Sequence, residues 1–338
     1  MKVLVVPDKF RGTLEPNEFV LIIRERFAYE YAISTVAISD GGDGLLESLD
    51  VSKITVDVHD ALMRPITAPF GLAKNGDAVV EMSRASGLDV IGGAEYNDPI
   101  NATTFGTGEL IKAAIESGAK RVVVGCGGSA TTDGGIGALE AINGLGFETD
   151  LLALSDVKAT YLEAARTFAP QKGATKTQVL FLEARLVLAA QTLERAFGRN
   201  PIGVIGSGAA GGLAGLIFAM GGKIVSGFDY VADVLDLKQE VVNCDLIITG
   251  EGKLDIQSFN GKVVGQLVQL AIQHQKRILV ICGSYDVDVV SRYVSPTIKF
   301  VSLTEHFGES LARAKTKLCL QKILNDPAIN EWIGNCGN

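Results

Sequence analysis

Histidine is scarce in this sequence: 338 residues contain three, His59, His274 and His306. None stands in a nucleophile arrangement. Each reads as a surface or structural residue, although His306 follows an expected strand end and keeps an open role. No Lys/Arg-rich block occurs, the formal net charge is −8 and the pI is about 5.1. A nucleic-acid binder carries a basic face, so that class is not expected. The five cysteines, Cys126, Cys244, Cys282, Cys319 and Cys336, are odd in number and match no zinc spacing. They read as reduced thiols of a cytoplasmic protein. There is no Walker A motif: neither Gly222-Lys223 nor Gly261-Lys262 has the required upstream Gly and downstream Ser/Thr. The protein-kinase motif set is also missing. The stretch from Pro201 to Gly222 has no charge, but Gly crowds it and Pro opens it, so a strand–loop–helix is expected there rather than a membrane span. The apolar run after Met1 is cut by Asp8 and reads as a first buried strand, not a leader. Internal repeats and low-complexity tracts are lacking.

What is present is glycine, at 39 residues and clustered, within a chain that is 47% hydrophobic. Short apolar runs alternate with amphipathic helices, which predicts an α/β fold of mainly parallel strands, in two domains. Strands are expected at Val3–Val6, Val36–Ile38, Val122–Val124, Leu246–Thr249, Ile278–Ile281 and Phe300–Leu303. Phe19, Ile22, Ile23 and Phe27 fall at helical spacing behind Pro16. Lys53 to Met82 differs: Ile54, Val56 and Val58 alternate with polar residues, and Asn75-Gly76 is a hairpin turn, so antiparallel strands are expected. A helix over Thr107–Ser117 ends at Gly118, a second follows residue 135, and residues 151–200 read as polar and mostly helical.

Four loops repeat one pattern: strand, then Gly with Asp, Glu, Ser or Thr, then helix. Ligands of open α/β sheets lie at the carboxyl ends of strands, where amides cradle phosphate and carboxylates hold Mg²⁺. In GCGGSATTDGG (125–135), Gly127, Gly128, Ser129 and Thr131 offer donors and Asp133 a carboxylate. SDGGDG (39–44) pairs Asp40 with Asp43, either as Mg²⁺ ligands or as a helix cap. GEGKLDIQSFNGK (250–262) supplies Glu251, Asp255, Gln257 and Lys262. PDKFRG (7–12) places Asp8, Lys9 and Arg11 after the first strand, where basic groups can clamp a carboxylate or phosphate. GSGAAGG (206–212) contains a GxGxxG through Gly206, Gly208 and Gly211, with Asp229 downstream, which leaves a nicotinamide-dependent dehydrogenase as an alternative.

Eight stretches in order, PDKFRGTL, SDGGDG, VVEMSRASGL, FGTGELI, GCGGSATTDGG, APQKGAT, GAAGGL and LIITGEGKLDIQSFNGK, resemble the bacterial type I glycerate kinase family over nearly the whole chain. The resemblance implies two α/β domains: a flavodoxin-like, mainly parallel sheet from both chain ends (1–58 with 240–338), and an inserted domain with a mixed sheet (59–239), with the site in the cleft between them. It implies transfer of the ATP γ-phosphoryl group to D-glycerate with Mg²⁺, generally giving 2-phosphoglycerate, and so a small-molecule partner. Carried over by position, the implied catalytic residues are Asp8, Arg11, Asp40, Asp43, Asp133 and Lys262, with Asp40 and Asp43 toward metal. Lys9, Gly127, Gly128, Ser129, Thr131, Gly211, Gly250, Glu251 and Asp255 are implied for substrate or nucleotide. Asp40, Asp43 or Asp133 orients the hydroxyl, and Arg11, Lys9 or Lys262 neutralises charge.

The chain departs from the family pattern at several places. Lys9-Phe10-Arg11 replaces Ser-Phe-Lys, Leu45 stands for Thr and Thr132 for Asn. The segment before APQKGAT is shorter, and Lys158 and Ala159 replace the Asp and Asn of an Asp-Val-Asp-Asn-Pro element, of which Asp156 and Val157 remain. A member that binds ligand without turnover is therefore a second alternative.

Overall fold

The computed structural model describes residues 1–10, 12–39, 41–142, 149–259 and 261–334. The chain forms two compact units, one of Met1–Ile38 with Val231–Asn338 and one of Ser39–Tyr230.

The first unit carries β1 (Lys2–Pro7) and β2 (Ala32–Thr35), and, from the far end of the chain, three further strands. With the second unit's strands counted between, these are β9 (Leu246–Leu254), β10 (Arg277–Tyr285) and β11 (Ile298–Ser302). All neighbours are parallel and the order is β11-β10-β9-β1-β2. Read from the other edge, this is the flavodoxin-like 2-1-3-4-5 order, whose switch point falls between β1 and β9. Such strands are buried on both faces and read as continuous Val/Ile/Leu runs; Leu4, Val5, Val6, Ile247, Ile248 and Val280 are fully enclosed. The helix Pro16–Phe27 buries Phe19, Ile22, Ile23 and Phe27, the predicted stripe, and has Pro at its start. Each such side chain contributes about 1.5–3 kcal/mol on burial.

The second unit holds β3 (Val51–His59), β4 (Pro65–Ala73), β5 (Asp77–Glu81), β6 (Arg121–Gly125), β7 (Asp150–Leu154) and β8 (Lys223–Val225), in that sheet order. β3–β4 and β4–β5 are antiparallel and the rest parallel, so the sheet is mixed. Asn75-Gly76 makes the expected turn, with Gly76 at φ 90°. A core of Phe70, Val80, Leu110, Val122, Val124, Leu182, Leu213 and their neighbours packs the helices Phe105–Glu116, Lys176–Phe197 and Leu213–Ala219.

Several elements differ from the sequence expectation. β2 lies at Ala32–Thr35, not Val36–Ile38: it is an edge strand with alternating exposure, so apolar content does not mark it. β7 interrupts the region read as helical, because a five-residue apolar run is as compatible with strand as with helix. Pro201–Gly208 forms turns instead of a strand, and β8 comes only after the helix. β3, placed by sequence with the chain ends, pairs along its length with β4 in the second unit. Leu303 belongs to a helix that Ser302 caps by accepting from the Glu305 amide at 3.2 Å. Among the described residues no helix is long and apolar enough to cross a membrane. Cys126, Cys244, Cys282 and Cys319 are free and buried; Cys336 lies outside the described residues.

Candidate functional site

In the second unit, β6 ends at Gly125 and the helix Ile136–Ile142 begins after a loop of small residues. That loop lies on the loop 39–44. A Cβ on Gly127 would stand 2.5 Å from Gly42 Cα. One on Gly128, whose φ is +68°, would stand 2.8 Å from Asp43 Oδ1 and 3.1 Å from Oδ2. The backbone therefore approaches the Asp43 carboxylate as only glycine allows. Two motifs more than eighty positions apart in the chain meet here; Asp40 itself lies outside the described residues.

Asp133 is buried and braces this loop. Its Oδ2 accepts from the Thr104 amide at 2.8 Å, the Thr104 hydroxyl at 2.8 Å, the Gly137 amide at 3.2 Å and the Thr103 hydroxyl at 3.3 Å. Its Oδ1 accepts from the Gly135 amide at 3.0 Å. Thr104 Oγ1 in turn accepts from the Ala138 amide at 2.9 Å. Three of these donors are amides at the two helix starts, so the carboxylate ties the loop to the helices Phe105–Glu116 and Ile136–Ile142. Five donors on two oxygens make it a structural brace of the loop.

Lys172, in APQKGAT, has no role that the sequence pattern assigns, and the structure puts its ammonium against two residues of the loop, Ser129 and Thr131. It is 3% exposed. Its Nζ donates to Ser129 Oγ at 2.7 Å and to the Thr131 carbonyl at 2.6 Å. Burial pulls its pKa from 10.5 down to about 7, with the Asp133 charge opposing. A lysine between Gln171 and Gly173, in a short turn, carries no periodicity to announce it as buried. Asn97 Nδ2 ties the turn to the loop, donating to Lys172 O at 2.8 Å and Ala130 O at 3.0 Å. Thr131 Oγ1 is buried and makes no hydrogen bond to any described group.

Gly211 supports the loop from its far side: its carbonyl accepts from the Gly134 amide at 2.9 Å, and a Cβ on it would lie 2.0 Å from Thr131 O. At Gly211 the GxGxxG packs against the loop 125–135. A dinucleotide fingerprint requires a preceding strand, and none leads into residues 206–211. Asp229 sits in the helix Gly227–Val234, whose first amides, Gly227 and Phe228, donate to Asp156 at 3.0 and 3.1 Å. The retained Asp156 is a helix cap here.

In the first unit, loops gather at the switch point of the sheet. Asp8 follows β1, and its amide donates to Gly250 O at 2.9 Å. The Lys9 amide donates to Asp8 Oδ1 at 2.8 Å, and the Gly252 amide to Lys9 O at 3.2 Å. Arg11 lies outside the described residues. Gly250, expected at the ligand, is a strand residue: a Cβ there would stand 2.1 Å from Ile281 O, with Phe10 and Phe19 close behind. Close packing demands glycine at that position.

Glu251 is 7% exposed, and its Oε1 is buried without a hydrogen-bond partner among the described residues. Burial pushes its pKa up from 4.5 to about 7; the Ser258 hydroxyl pulls the other way, Asp8 adds to the rise, and Lys262 opposes it. Lys262 is the residue at which the helix Val263–Gln273 starts. Asp255 accepts from the Gln257 amide at 2.8 Å in a local turn. The histidines are elsewhere: His59 Nδ1 is 3.1 Å from the Glu109 carboxylate, and His306 Nδ1 is 2.9 Å from Ser302 O.

Among the described residues no three His, Cys, Asp or Glu side chains converge as a metal cage. Mg²⁺ is commonly held by one or two carboxylates together with phosphate oxygens and water. Asp43, with both oxygens against the glycine backbone at Gly128, fits that mode.

The family model of the glycerate kinase family matches residues 3–150 and 147–324. The chain belongs to the glycerate kinase family. It is 32% identical over 331 residues to glycerate 2-kinase of Escherichia coli (strain K12), covering 86% of this chain and 87% of that one. It is 30% identical over 365 residues to a glycerate kinase of Bacillus subtilis (strain 168), covering 93% and 95%. A crystal structure assigned to a glycerate kinase 2 from Salmonella typhimurium LT2 superposes with a TM-score of 0.77 at 26% identity, covering 98% of this chain and 99% of that chain. As a glycerate kinase family member, the chain is a kinase of a small molecule, and the two α/β units described above are its framework.

Proposed function

We propose that this protein transfers the γ-phosphoryl group of ATP to D-glycerate, forming 2-phosphoglycerate. The observation that carries the chemistry is Glu251. A carboxylate with one oxygen buried and unpartnered, titrating near 7 at the switch point of a flavodoxin-like sheet, suits a proton acceptor at neutral pH. The hydroxyl oxygen at C2 of glycerate attacks the γ-phosphorus, an O–P bond forms, and the bond to the ADP oxygen breaks. The hydroxyl proton passes to Glu251. Lys9 and Lys262 offset the negative charge that builds on the transferring group, and Asp8 holds the β1 loop against β9 through its backbone.

In the second unit, the loop Gly127–Thr131 receives anionic oxygens on amides and the Ser129 hydroxyl. Asp133 keeps that loop in place through its five donors. Asp43 would hold Mg²⁺, which when bound neutralises phosphate charge.

The test is ADP release from Mg-ATP by the purified chain, with and without D-glycerate. Release that depends on glycerate supports the reading. Binding of ATP with no stimulation by glycerate would instead favour a member that binds without turnover, the reading that the replaced Lys158-Ala159 segment motivates.

A further inference from the structure

We infer that Lys172 is a positioning residue that fixes the polarity of the Ser129 hydroxyl, so that its O–H is presented to an anionic oxygen of the ligand at the Gly127–Thr131 loop. This rests on the proposed function, which places a carboxylate or phosphoryl oxygen there.

The argument is one of donors and acceptors. An ammonium has three protons and no acceptor. Lys172 Nζ donates to Ser129 Oγ at 2.7 Å, so this hydroxyl oxygen is the acceptor of that bond. Its own proton must then point elsewhere, and no described group accepts it. The second ammonium proton goes to Thr131 O at 2.6 Å, which fixes Nζ between two points of the same loop. The lysine is 3% and the serine 9% exposed, so water does not compete freely for either group. A buried cation behind a hydroxyl also polarises it, strengthening the bond it gives to an anion.

Three further ionisable side chains bond to the same loop. Asp133, on the same loop, is held by its five donors. Arg185, from the helix Lys176–Phe197, donates to Thr132 O at 3.2 Å. Tyr161 donates to Gly134 O at 2.6 Å, and burial raises its pKa far above the working range. Burial brings the Lys172 pKa down to about 7. As a neutral amine it gains a lone pair that can accept from Ser129 and turn the hydroxyl inward. Recognition of the anion therefore weakens as the pH rises through about 7.

The experiment compares wild type, Lys172→Met, Ser129→Ala and the double variant, each checked for native circular dichroism. Affinities for D-glycerate and for Mg-ADP are measured separately by calorimetry at about pH 6 and about pH 8, which bracket the titration. The arm that responds identifies whether carboxylate or phosphate is the anion. Each single variant weakens that ligand about tenfold or more at the lower pH, the scale of a charged hydrogen bond. The double variant is no worse than either single one, because the two residues act as one device. Wild type loses affinity between the two pH values, while Lys172→Met does not. Losses that add in the double variant, or a folded Lys172→Met with unaltered affinity for both ligands, would overturn the inference. If wild type shows no glycerate-dependent turnover, the proposed function fails on its own. The pair is then read from the ¹³Cε shift of Lys172: a midpoint near neutrality that moves in Ser129→Ala sustains the coupling, and one that does not move overturns it.

Discussion

The carboxylate of Asp43 lies against the backbone of Gly128, so close that a Cβ there would stand 2.8 Å from Oδ1. Gly128 also has φ +68°, a conformation that costs a side-chain-bearing residue about 1–3 kcal/mol. Gly128→Ala is expected to displace Asp43 and the loop together. Stability should fall by about that amount, and kcat/KM by about a hundredfold or more, a loss consistent with misplacement of the reacting groups by about an ångström. Paired denaturant and kinetic measurements check this.

Gly250→Ala provides the contrast. Its Cβ would strike Ile281 O at 2.1 Å inside the parallel sheet. The expected outcome is lost stability, on the order of 1–3 kcal/mol, with KM of the remaining folded enzyme little changed. A variant that keeps its midpoint but loses substrate affinity would place Gly250 at the ligand after all.

Glu251→Gln separates function from stability. The folded protein holds the Glu251 proton up to about pH 7, the unfolded chain only to about 4.5. The folded state therefore binds more protons in that window, and wild-type stability declines across it by up to about 1.4 kcal/mol per pH unit. The penalty is fully present above 7. Glu251→Gln removes it, so the variant should gain on wild type as pH rises from 5 to 8, while kcat drops about 10²–10⁴-fold. Urea melts at several pH values, with kcat at neutrality, measure both.

Lys172 has the opposite sign. Its proton is lost near 7 in the folded state and near 10.5 in the unfolded chain. The unfolded chain binds more protons between these values, so this residue makes wild type more stable as pH rises above 7. Between about pH 7 and 8.5 wild type should gain on Lys172→Met in urea midpoint. Equal slopes would contradict the buried ammonium.

Asp133→Ala removes the acceptor for three backbone amides and two hydroxyls. Leaving these buried donors unpaired should cost on the order of 3–5 kcal/mol. Asp133→Asn should recover part of that, since one amide oxygen still accepts. Thermal melts of the two variants decide it.

The framework was legible where physics is local. The parallel core strands announce themselves as unbroken Val, Ile and Leu runs, and the helix Pro16–Phe27 by the spacing of Phe19, Ile22, Ile23 and Phe27. Edge and short strands were not legible: β2 exposes alternate residues, and β7 is too brief for periodicity to act. Glycine roles were hidden for a related reason. Gly128 faces a carboxylate and Gly250 a neighbouring strand, and only the three-dimensional approach tells them apart. Lys172 was invisible as a buried cation because its partners, Ser129 and Thr131, lie more than forty residues away.

Phosphorus NMR of the product formed from ATP and D-glycerate tests the central claim most directly. The account predicts one new phosphate ester whose resonance is a doublet, coupled to the single proton on C2, and its loss in Glu251→Gln. A triplet from an ester on the CH₂ group, or no ester while ATP is bound, would contradict it.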